Sequence, residues 1–287
     1  MALTIEDLGN GLQVDHEKNP LIGLQGRLDL LKSLGRVLKT PSNSEFFFNP
    51  TDSSHRPGNL VYFLLNNANE RGEIGVEKLW RVVVEGFGGV WPEEGRIKIN
   101  GVCLGDVWCS AILKAGNNCD NKNCAVDHCD TNASEDCGTA TQILNTDELV
   151  TFHKLSQWLT YSLLEPLEKF LNLKFLEKDL LTGLAEYRNG GLFVDLNAIK
   201  LKPKYQNDQN QFKPNDEVVI QWRALTICLL DRLAPLLRSR LNVTREEFSL
   251  PKMLEGGTWK AGRIIAKEKR PETAGPPIKI ISDGTLF

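Results

Sequence analysis

The fold of this chain is decided by the stretch from Val150 to Lys200, VTFHKLSQWLTYSLLEPLEKFLNLKFLEKDLLTGLAEYRNGGLFVDLNAIK. In its first half, apolar residues recur at steps of three and four, which indicates one long amphipathic helix. The residues of this apolar face are Phe152, Leu155, Leu159, Leu163, Leu167 and Phe170. The stretch therefore predicts a helical core element, with His153 and Lys154 at the start of the helix.

The second half of the stretch carries four consecutive polar residues between apolar neighbours. They are Glu186, Tyr187, Arg188 and Asn189. Gly190 and Gly191 follow them and predict a break in the element. Such polar groups are costly to bury unless they bind each other or a ligand, whereas purely structural charges belong on an exposed face. The run therefore favours a functional site.

Outside this stretch, periodicity predicts helices at 19–35, 57–67, 76–89 and 250–269. A long helix begins after Asp216, and Pro235 is expected to kink or end its first part. Residues 96–108 alternate around Asn100-Gly101, a strong hairpin signal, with Asp106 as a turn-capping residue that can also border a pocket. Because two strands alone are marginal, we expect the C-terminal strand at 278–282 to pair with this hairpin.

Motifs in most parts of the chain occur in the order typical of one family. They are NPLIGLQGRLDLLKSLG, GRIKINGVCLGDVW, FHKLSQWLTYSLLEPL, LTGLAEYRNGGLFVDL, VVIQWRALTICLLDRLAPLLRSRL, LEGGTWKAGR and PPIKIISDGTLF. The chain resembles the second half of a uracil-catabolism family of fungi and bacteria, long catalogued as a domain of unknown function. Members usually carry a further helical region before this part. The resemblance thus implies that residues 1–287 form a single helical domain, with the N-terminal region of the family absent.

A second, more distant resemblance suggests a chemistry. FHKLSQW, AEYRNGG and IQWRA are similar to motifs of the queuosine-salvage nucleoside hydrolases. The resemblance implies a mainly α fold with a small accessory β-sheet, similar to DNA-glycosylase-like nucleoside hydrolases. It also implies a catalytic carboxylate and lysine at the positions of Glu186 and Lys154. In that relative the carboxylate is an aspartate, so the longer glutamate changes the detailed geometry.

Composition narrows the class of partner. Hydrophobic residues make up 41% and charged residues 25%, as in ordinary globular proteins, and the formal net charge is −3. This charge and the absence of a basic cluster speak against a nucleic-acid partner. No apolar run is long enough for a membrane span and the start lacks signal-peptide features, so we expect a cytoplasmic protein that binds a small molecule. The sequence does not indicate an oligomeric state.

Residues 114–146 form a segment rich in Asn, Asp and Cys, with almost no large apolar residue. Such a composition cannot bury enough surface to order itself, which predicts a flexible insertion. The alternative is a metal site built from Cys119, Cys124, Cys129, Cys137 and His128. The cysteine spacing does not match the closely paired ligands of structural zinc sites, so we expect no metal.

No glycine-rich phosphate loop, nucleophile elbow or zinc-helix motif is present, and the chain has four histidines, too few for a multi-histidine metal hydrolase. The available groups suit cleavage of an N-ribosyl bond without a cofactor, with Glu186 facing the anomeric carbon and Lys154 as a cation. The expected substrate-binding residues are His153, Tyr187, Arg188, Asn189, Trp158, Trp222, Arg223 and Asp106. For Trp222 and Arg223, a packing Trp and a surface Arg are equally consistent with the pattern.

The uracil-catabolism resemblance implies the substrate class. We expect a hydrolase that releases urea from ribosylurea or its 5′-phosphate. The alternatives are an amide hydrolase that opens the ureide in the same pathway, and a non-catalytic binding or scaffold subunit.

Overall fold

The computed structural model describes residues 3–21, 23–118, 146–206 and 210–281, and it is mainly helical. The helices are α1 (Ile5–Gly11), α2 (Leu24–Val37), α3 (Ser44–Phe47), α4 (Leu60–Asn67), α5 (Val76–Arg81), α6 (Ala111–Asn118), α7 (Lys154–Leu171), α8 (Tyr187–Asp195), α9 (Glu217–Leu241), α10 (Leu250–Lys252) and α11 (Lys260–Lys269). Two π-helical segments extend α5 and join α10 to α11, at Val82–Gly86 and Met253–Trp259. Short 3₁₀ turns lie at Pro41–Asn43, Pro57–Asn59, Gly88–Val90, Thr146–Glu148, Lys178–Leu180 and Pro203–Tyr205.

The strands are two or three residues long. They are β1 (Phe48–Asn49), β2 (Ser54–His55), β3 (Glu73–Gly75), β4 (Lys98–Ile99), β5 (Val102–Cys103), β6 (Val107–Cys109), β7 (Leu149–Thr151) and β8 (Lys174–Leu176). β1–β2, β4–β5 and β6–β7 are antiparallel pairs, and β3–β8 is a parallel pair. This confirms the prediction of a mainly α fold with minor accessory β-structure.

The predicted hairpin is present, but its predicted partner strand is not. β4 and β5 pair with each other around the Asn100-Gly101 turn, with Ile99 opposite Val102. Ile280 instead forms an isolated parallel bridge with Phe212, held by hydrogen bonds from Phe212 N to Lys279 O and from Ile281 N to Phe212 O. The prediction that 278–282 extends the hairpin was therefore wrong. Because a single bridge provides few backbone bonds, the C-terminal segment is held by contacts such as that of the buried Ile278.

The expectation that Pro235 ends the first part of this helix is wrong, because α9 continues through this residue to Leu241. Proline removes one backbone donor and crowds the preceding turn, which costs roughly 3 kcal/mol in a helix interior. Leu230 and Ala234, just before it, are buried against the large core cluster. Packing on this side thus compensates for the local penalty.

The buried face of α7 is rotated from the predicted one. Phe152 and Leu167 are buried as expected, but Phe170 is 76% exposed. Several polar residues of the helix lie inside instead, namely Lys154, Ser156, Gln157 and Thr160. Hydrogen bonds make this possible: Thr160 donates to Ser156 O at 2.8 Å, and the buried Tyr161 donates to Thr182 O at 2.9 Å. Apolar periodicity misses this face because polar residues interrupt the apolar repeat on it.

Gly190 and Gly191 lie within α8 and do not interrupt it, contrary to expectation. A Cβ at Gly190 would come within 2.6 Å of Thr226 Oγ1 and 2.7 Å of Trp222 Nε1 on α9. A Cβ at Gly191 would lie 3.0 Å from the ring of Pro277. The paired glycines therefore let α8 pack closely against α9 and the C-terminal segment.

None of the helices within the described ranges combines the length and the apolar character that a membrane crossing requires. The predicted Cys-rich insertion falls mostly outside the described residues, and so do its four cysteines and His128.

Candidate active site

A cavity of about 280 Å³ lies where the N-terminal ends of α7 and α8 approach the π-helical segment Met253–Trp259. It is lined by Lys154, Leu155, Trp158, Leu184, Glu186, Asn189, Leu254, Glu255 and Trp259. This volume is near the lower end of small-molecule pockets, which measure roughly 300–1,000 Å³. A mostly apolar wall with a few charged groups is typical of such binding sites. The cavity suits a small organic ligand.

Glu186 caps α8 and faces this cavity. Its Oε2 accepts hydrogen bonds from the backbone N–H groups of Arg188 at 2.7 Å and Asn189 at 3.1 Å. A carboxylate at a helix N-terminus is also favoured by the helix dipole. Burial nevertheless raises the pKa of Glu186 above 4.5, although these N–H groups and the Lys154 ammonium oppose the shift. Glu186 is thus a fixed carboxylate with a raised proton affinity.

Lys154 is the first residue of α7, and only 6% of it is exposed. Burial lowers the pKa of its ammonium below 10.5, although the charges of Glu186 and Asp106 favour the protonated form. A cation at the N-terminal end of a helix faces the positive pole of the helix dipole, which is unfavourable. A buried lysine in this position is therefore a strong candidate for a chemical role.

Asp106 and Arg223 are paired with each other. The Arg223 guanidinium donates two hydrogen bonds to the Asp106 carboxylate, at 2.8 and 2.7 Å, and Trp108 Nε1 donates a third at 2.8 Å. Burial alone would raise the pKa of Asp106, but the hydrogen bonds and charge of Arg223 lower it to about 2. Neither residue lines the 280 Å³ cavity. The pair fixes the N-terminal end of α7, because the N–H of Lys154 donates to Asp106 Oδ2 at 3.3 Å.

His153 occupies the residue before α7 in a left-handed conformation, with φ 47° and ψ 40°. Its ring lies edge-on to Trp80, with centroids 6.0 Å apart. Burial lowers the pKa of His153 below 6.5, which favours the neutral imidazole. His153 does not line the cavity, and the structure places it against Trp80 instead.

Tyr187, Trp222 and Arg223 meet in a second, much tighter crevice that has no room for a water molecule. Glu186 lines both the crevice and the cavity. Trp222 is 3% exposed, and its Nε1 has no hydrogen-bond partner among the described residues. These side chains share the crevice with Glu186, and none of them lines the cavity.

The side chain of Arg188 does not line the cavity. Its guanidinium donates to the carbonyl oxygen of Ala274 and lies 4.9 Å from the centroid of the Tyr187 ring. The expectation that Arg188 and Trp222 join Lys154 and Glu186 in one pocket therefore differs from the structure. What Arg188 contributes to the site is its backbone N–H, which binds Glu186.

Asn189 and Trp158, in contrast, do line the cavity. Asn189 is 1% exposed, and its Oδ1 accepts a hydrogen bond from Thr258 Oγ1 at 2.8 Å. This bond ties the start of α8 to the π-helical segment. Trp158 is 41% exposed and contributes an indole on the α7 side.

Sequence reasoning missed the third wall of the cavity. Leu254, Glu255 and Trp259 belong to the π-helical segment, which the sequence predicts as part of an ordinary helix at 250–269. π-Helical segments occur often at functional sites because they displace side chains from the α-helical register. The sequence signal that could have indicated this wall is Glu255, a glutamate between a leucine and two glycines. Leu155 and Leu184 complete the apolar lining.

Within the described ranges, no three His, Cys, Asp or Glu side chains are close enough to hold a metal ion. The cavity instead combines two carboxylates, one ammonium and two indoles. Burial shifts the pKa of the Glu186 carboxylate upward and that of the Lys154 ammonium downward, which is typical of groups that donate or accept protons in a reaction. Chemically, the site is equipped for acid–base work on a small, partly apolar substrate.

Fold and cavity together define a mainly helical protein with a small cavity between the N-terminal ends of two helices, lined by a buried carboxylate and a buried ammonium. The chain belongs to the family described as "Protein of unknown function (DUF1688)", whose model matches residues 1–287. It is 38% identical over 287 residues to "Protein urg3" of Schizosaccharomyces pombe, covering 100% of this chain and 59% of the relative. It is 39% identical over 304 residues to "Uracil catabolism protein 4" of Lachancea kluyveri, covering 99% of this chain and 61% of the relative. The chain thus spans about three-fifths of the length of these curated relatives.

Proposed function

We propose that this protein acts in uracil catabolism as an N-ribosyl hydrolase that releases urea from ribosylurea or its 5′-phosphate. The observation that carries the proposal is the presence of Glu186 and Lys154 in one small cavity, each with a pKa displaced by burial. The printed name of the Lachancea kluyveri relative supports the pathway. The similarity of the motifs around Lys154 and Glu186 to queuosine-salvage nucleoside hydrolases supports the reaction type.

In the proposed reaction, Glu186 faces the anomeric carbon. The bond between this carbon and the urea nitrogen breaks with its electron pair on nitrogen, and the Lys154 ammonium protonates the departing group. The Glu186 carboxylate stabilises the oxocarbenium-like transition state and takes the proton of the water that adds to the carbon. Proton transfer from Glu186 to Lys154 then restores both groups. The fixed Oε2 of Glu186 suits this role, since it holds the carboxylate in place without a reorganisation step.

Opening of the ureide by amide hydrolysis has less support. In the described part of the chain, the cavity lining contains no hydroxyl or thiol side chain that could act as a nucleophile on the ureide carbonyl. A pure binding role would leave the displaced pKa values of Lys154 and Glu186 without a use. The two enzymatic reactions give different products, which makes them separable by product analysis.

The test is an incubation of the purified protein with ribosylurea and, separately, with its 5′-phosphate, followed by measurement of urea, ammonia and free sugar. We expect urea and ribose, or ribose 5-phosphate, in equal amounts. Ammonia without urea would show amide hydrolysis instead. Recovery of both compounds unchanged, together with measurable binding, would identify a binding protein and contradict the proposal.

A further inference from the structure

Glu255 is a second carboxylate in the cavity, and the proposed reaction does not use it. It lies on the cavity wall formed by the π-helical segment, together with Leu254 and Trp259. Across the described parts of the chain, Glu255 forms no hydrogen bond or ion pair. Glu255 is exposed, as glutamates without a partner ordinarily are, but it also lines a small cavity, where it offers two acceptor oxygens to a ligand.

The segment that carries Glu255 is firmly held. Met253, Leu254 and Thr258 are 0%, 1% and 4% exposed, so both sides of Glu255 are anchored in the core. Thr258 also donates to Asn189, whose backbone N–H in turn binds Glu186. The two carboxylate-bearing walls are therefore connected through Asn189. This arrangement fixes the backbone that carries Glu255 relative to the start of α8, where Glu186 lies.

We infer that Glu255 recognises the ureido leaving group by accepting its N–H donors, and that it is a specificity-determining residue. This inference rests on the proposed function. A ureido group presents two adjacent N–H donors in one plane, and a carboxylate is a bidentate acceptor with matching geometry. The faces of the same planar group are suited to the indoles of Trp158 and Trp259, which line the cavity beside Glu255.

Charge supports this assignment. Among the residues that the structure describes, the lining contains the carboxylates of Glu186 and Glu255, one ammonium, that of Lys154, and no arginine. If Glu186 faces the sugar carbon, the remaining carboxylate needs donors from the ligand, since burying an unsatisfied charge under a bound ligand is costly. The ureido group is the part of ribosylurea that is richest in donors and has no proton to lose at neutral pH.

The test uses Glu186→Gln protein, in which turnover is expected to be slow enough for binding to be measured, and compares two ligands. Ribosylurea carries the ureido donors, whereas 4-nitrophenyl β-D-ribofuranoside has the same sugar and a leaving group without N–H. Adding Glu255→Gln should raise the Kd for ribosylurea about 10- to 100-fold, as expected for loss of a charge-assisted bidentate contact. The Kd for the nitrophenyl riboside should change less than about twofold. Glu268→Gln, an exposed glutamate of α11 outside the cavity, is the matched control.

Equal weakening of both ligands would show that Glu255 binds the sugar, and an unchanged Kd for ribosylurea would show that it binds nothing; either result overturns the inference. Folding is checked by comparing melting temperatures, which should agree because Glu255 has no partner to lose. Since binding is measured without turnover, failure of the native protein to release urea would contradict the proposed function separately.

Discussion

Lys154 and Glu186 face one cavity from the N-terminal ends of two different helices, Lys154 as the first residue of α7 and Glu186 as the cap of α8. The helix dipole favours the carboxylate and disfavours the ammonium at such positions. Burial acts on both, raising the pKa of Glu186 and lowering that of Lys154. The pKa values of the carboxylate and the ammonium are therefore closer together in the protein than they would be in water.

Replacing Lys154 tests its role as proton donor. Lys154→Met keeps most of the apolar stem and removes the charge, so kcat for urea release should fall by about 10²-fold or more. The double variant with Glu186→Gln should lose less than the product of the two single effects, because the groups act as a unit. Lys169→Met, on the exposed side of α7, is the control and should keep native turnover. Independent, multiplicative losses would argue against a shared step.

The pH profile of kcat/KM follows from the directions of the two pKa shifts. Activity requires ionised Glu186, so it should fall as pH drops through a pKa above 4.5. It also requires protonated Lys154, so it should fall as pH rises through a pKa below 10.5. The profile is thus a bell narrower than unperturbed Glu and Lys would give. In Lys154→Met, the residual activity should no longer fall at high pH. If the fall at high pH persists, it is caused by the titration of another group.

The Asp106–Arg223 pair should contribute to stability in a pH-dependent way. The pKa of Asp106 falls from 3.8 to about 2 on folding, so its ionisation stabilises the protein above pH 3.8 and this contribution is lost as pH drops toward 2. The lost contribution is about 2 kcal/mol. Asp106→Asn should cost about 3–5 kcal/mol at pH 7, because it leaves the buried Arg223 guanidinium without its carboxylate.

Urea unfolding at pH 7, 4 and 2.5 measures both effects of this substitution. Between pH 4 and pH 2.5, the free energy of unfolding should fall more for the native protein than for the Asp106→Asn variant. Parallel pH dependence of the two proteins would mean that Asp106 does not carry the shifted titration.

Gly262 tests the contact between α11 and α8. A Cβ at this position would lie 2.2 Å from the carbonyl oxygen of Arg188, a backbone atom that cannot move without shifting α8. Gly262→Ala should therefore destabilise the protein by about 1–3 kcal/mol. Gly35 lies inside α2 with no atom near its Cβ position, so Gly35→Ala should be neutral or stabilising by about 0.5–1 kcal/mol. Equal effects in thermal unfolding would contradict the packing account.

The sequence predicts elements with strong local signals and misses contacts between distant segments. The helical character of α7 and α9 and the Asn100-Gly101 hairpin follow from periodicity and turn chemistry. The Asp106–Arg223 pair joins residues 117 positions apart, and no local pattern connects them. Glu255 was missed because its segment adopts a π-helical register that a 3.6-residue period does not describe. The glycines after Asn189 were taken as a break because their role depends on α9, which packs against them.

The central claim is that the Glu186 carboxylate stabilises the transition state, and Glu186→Gln tests it most directly. Turnover of ribosylurea or its 5′-phosphate and the melting temperature are to be measured on the same preparation. We predict a loss of about 10²–10³ in kcat per folded molecule, as for removal of one electrostatic contact to a transition state. The melting temperature should change little, because the amide oxygen can still accept the N–H bonds of Arg188 and Asn189. Native turnover per folded molecule, with a lowered melting temperature, would show that Glu186 only braces the start of α8 and would contradict the catalytic account.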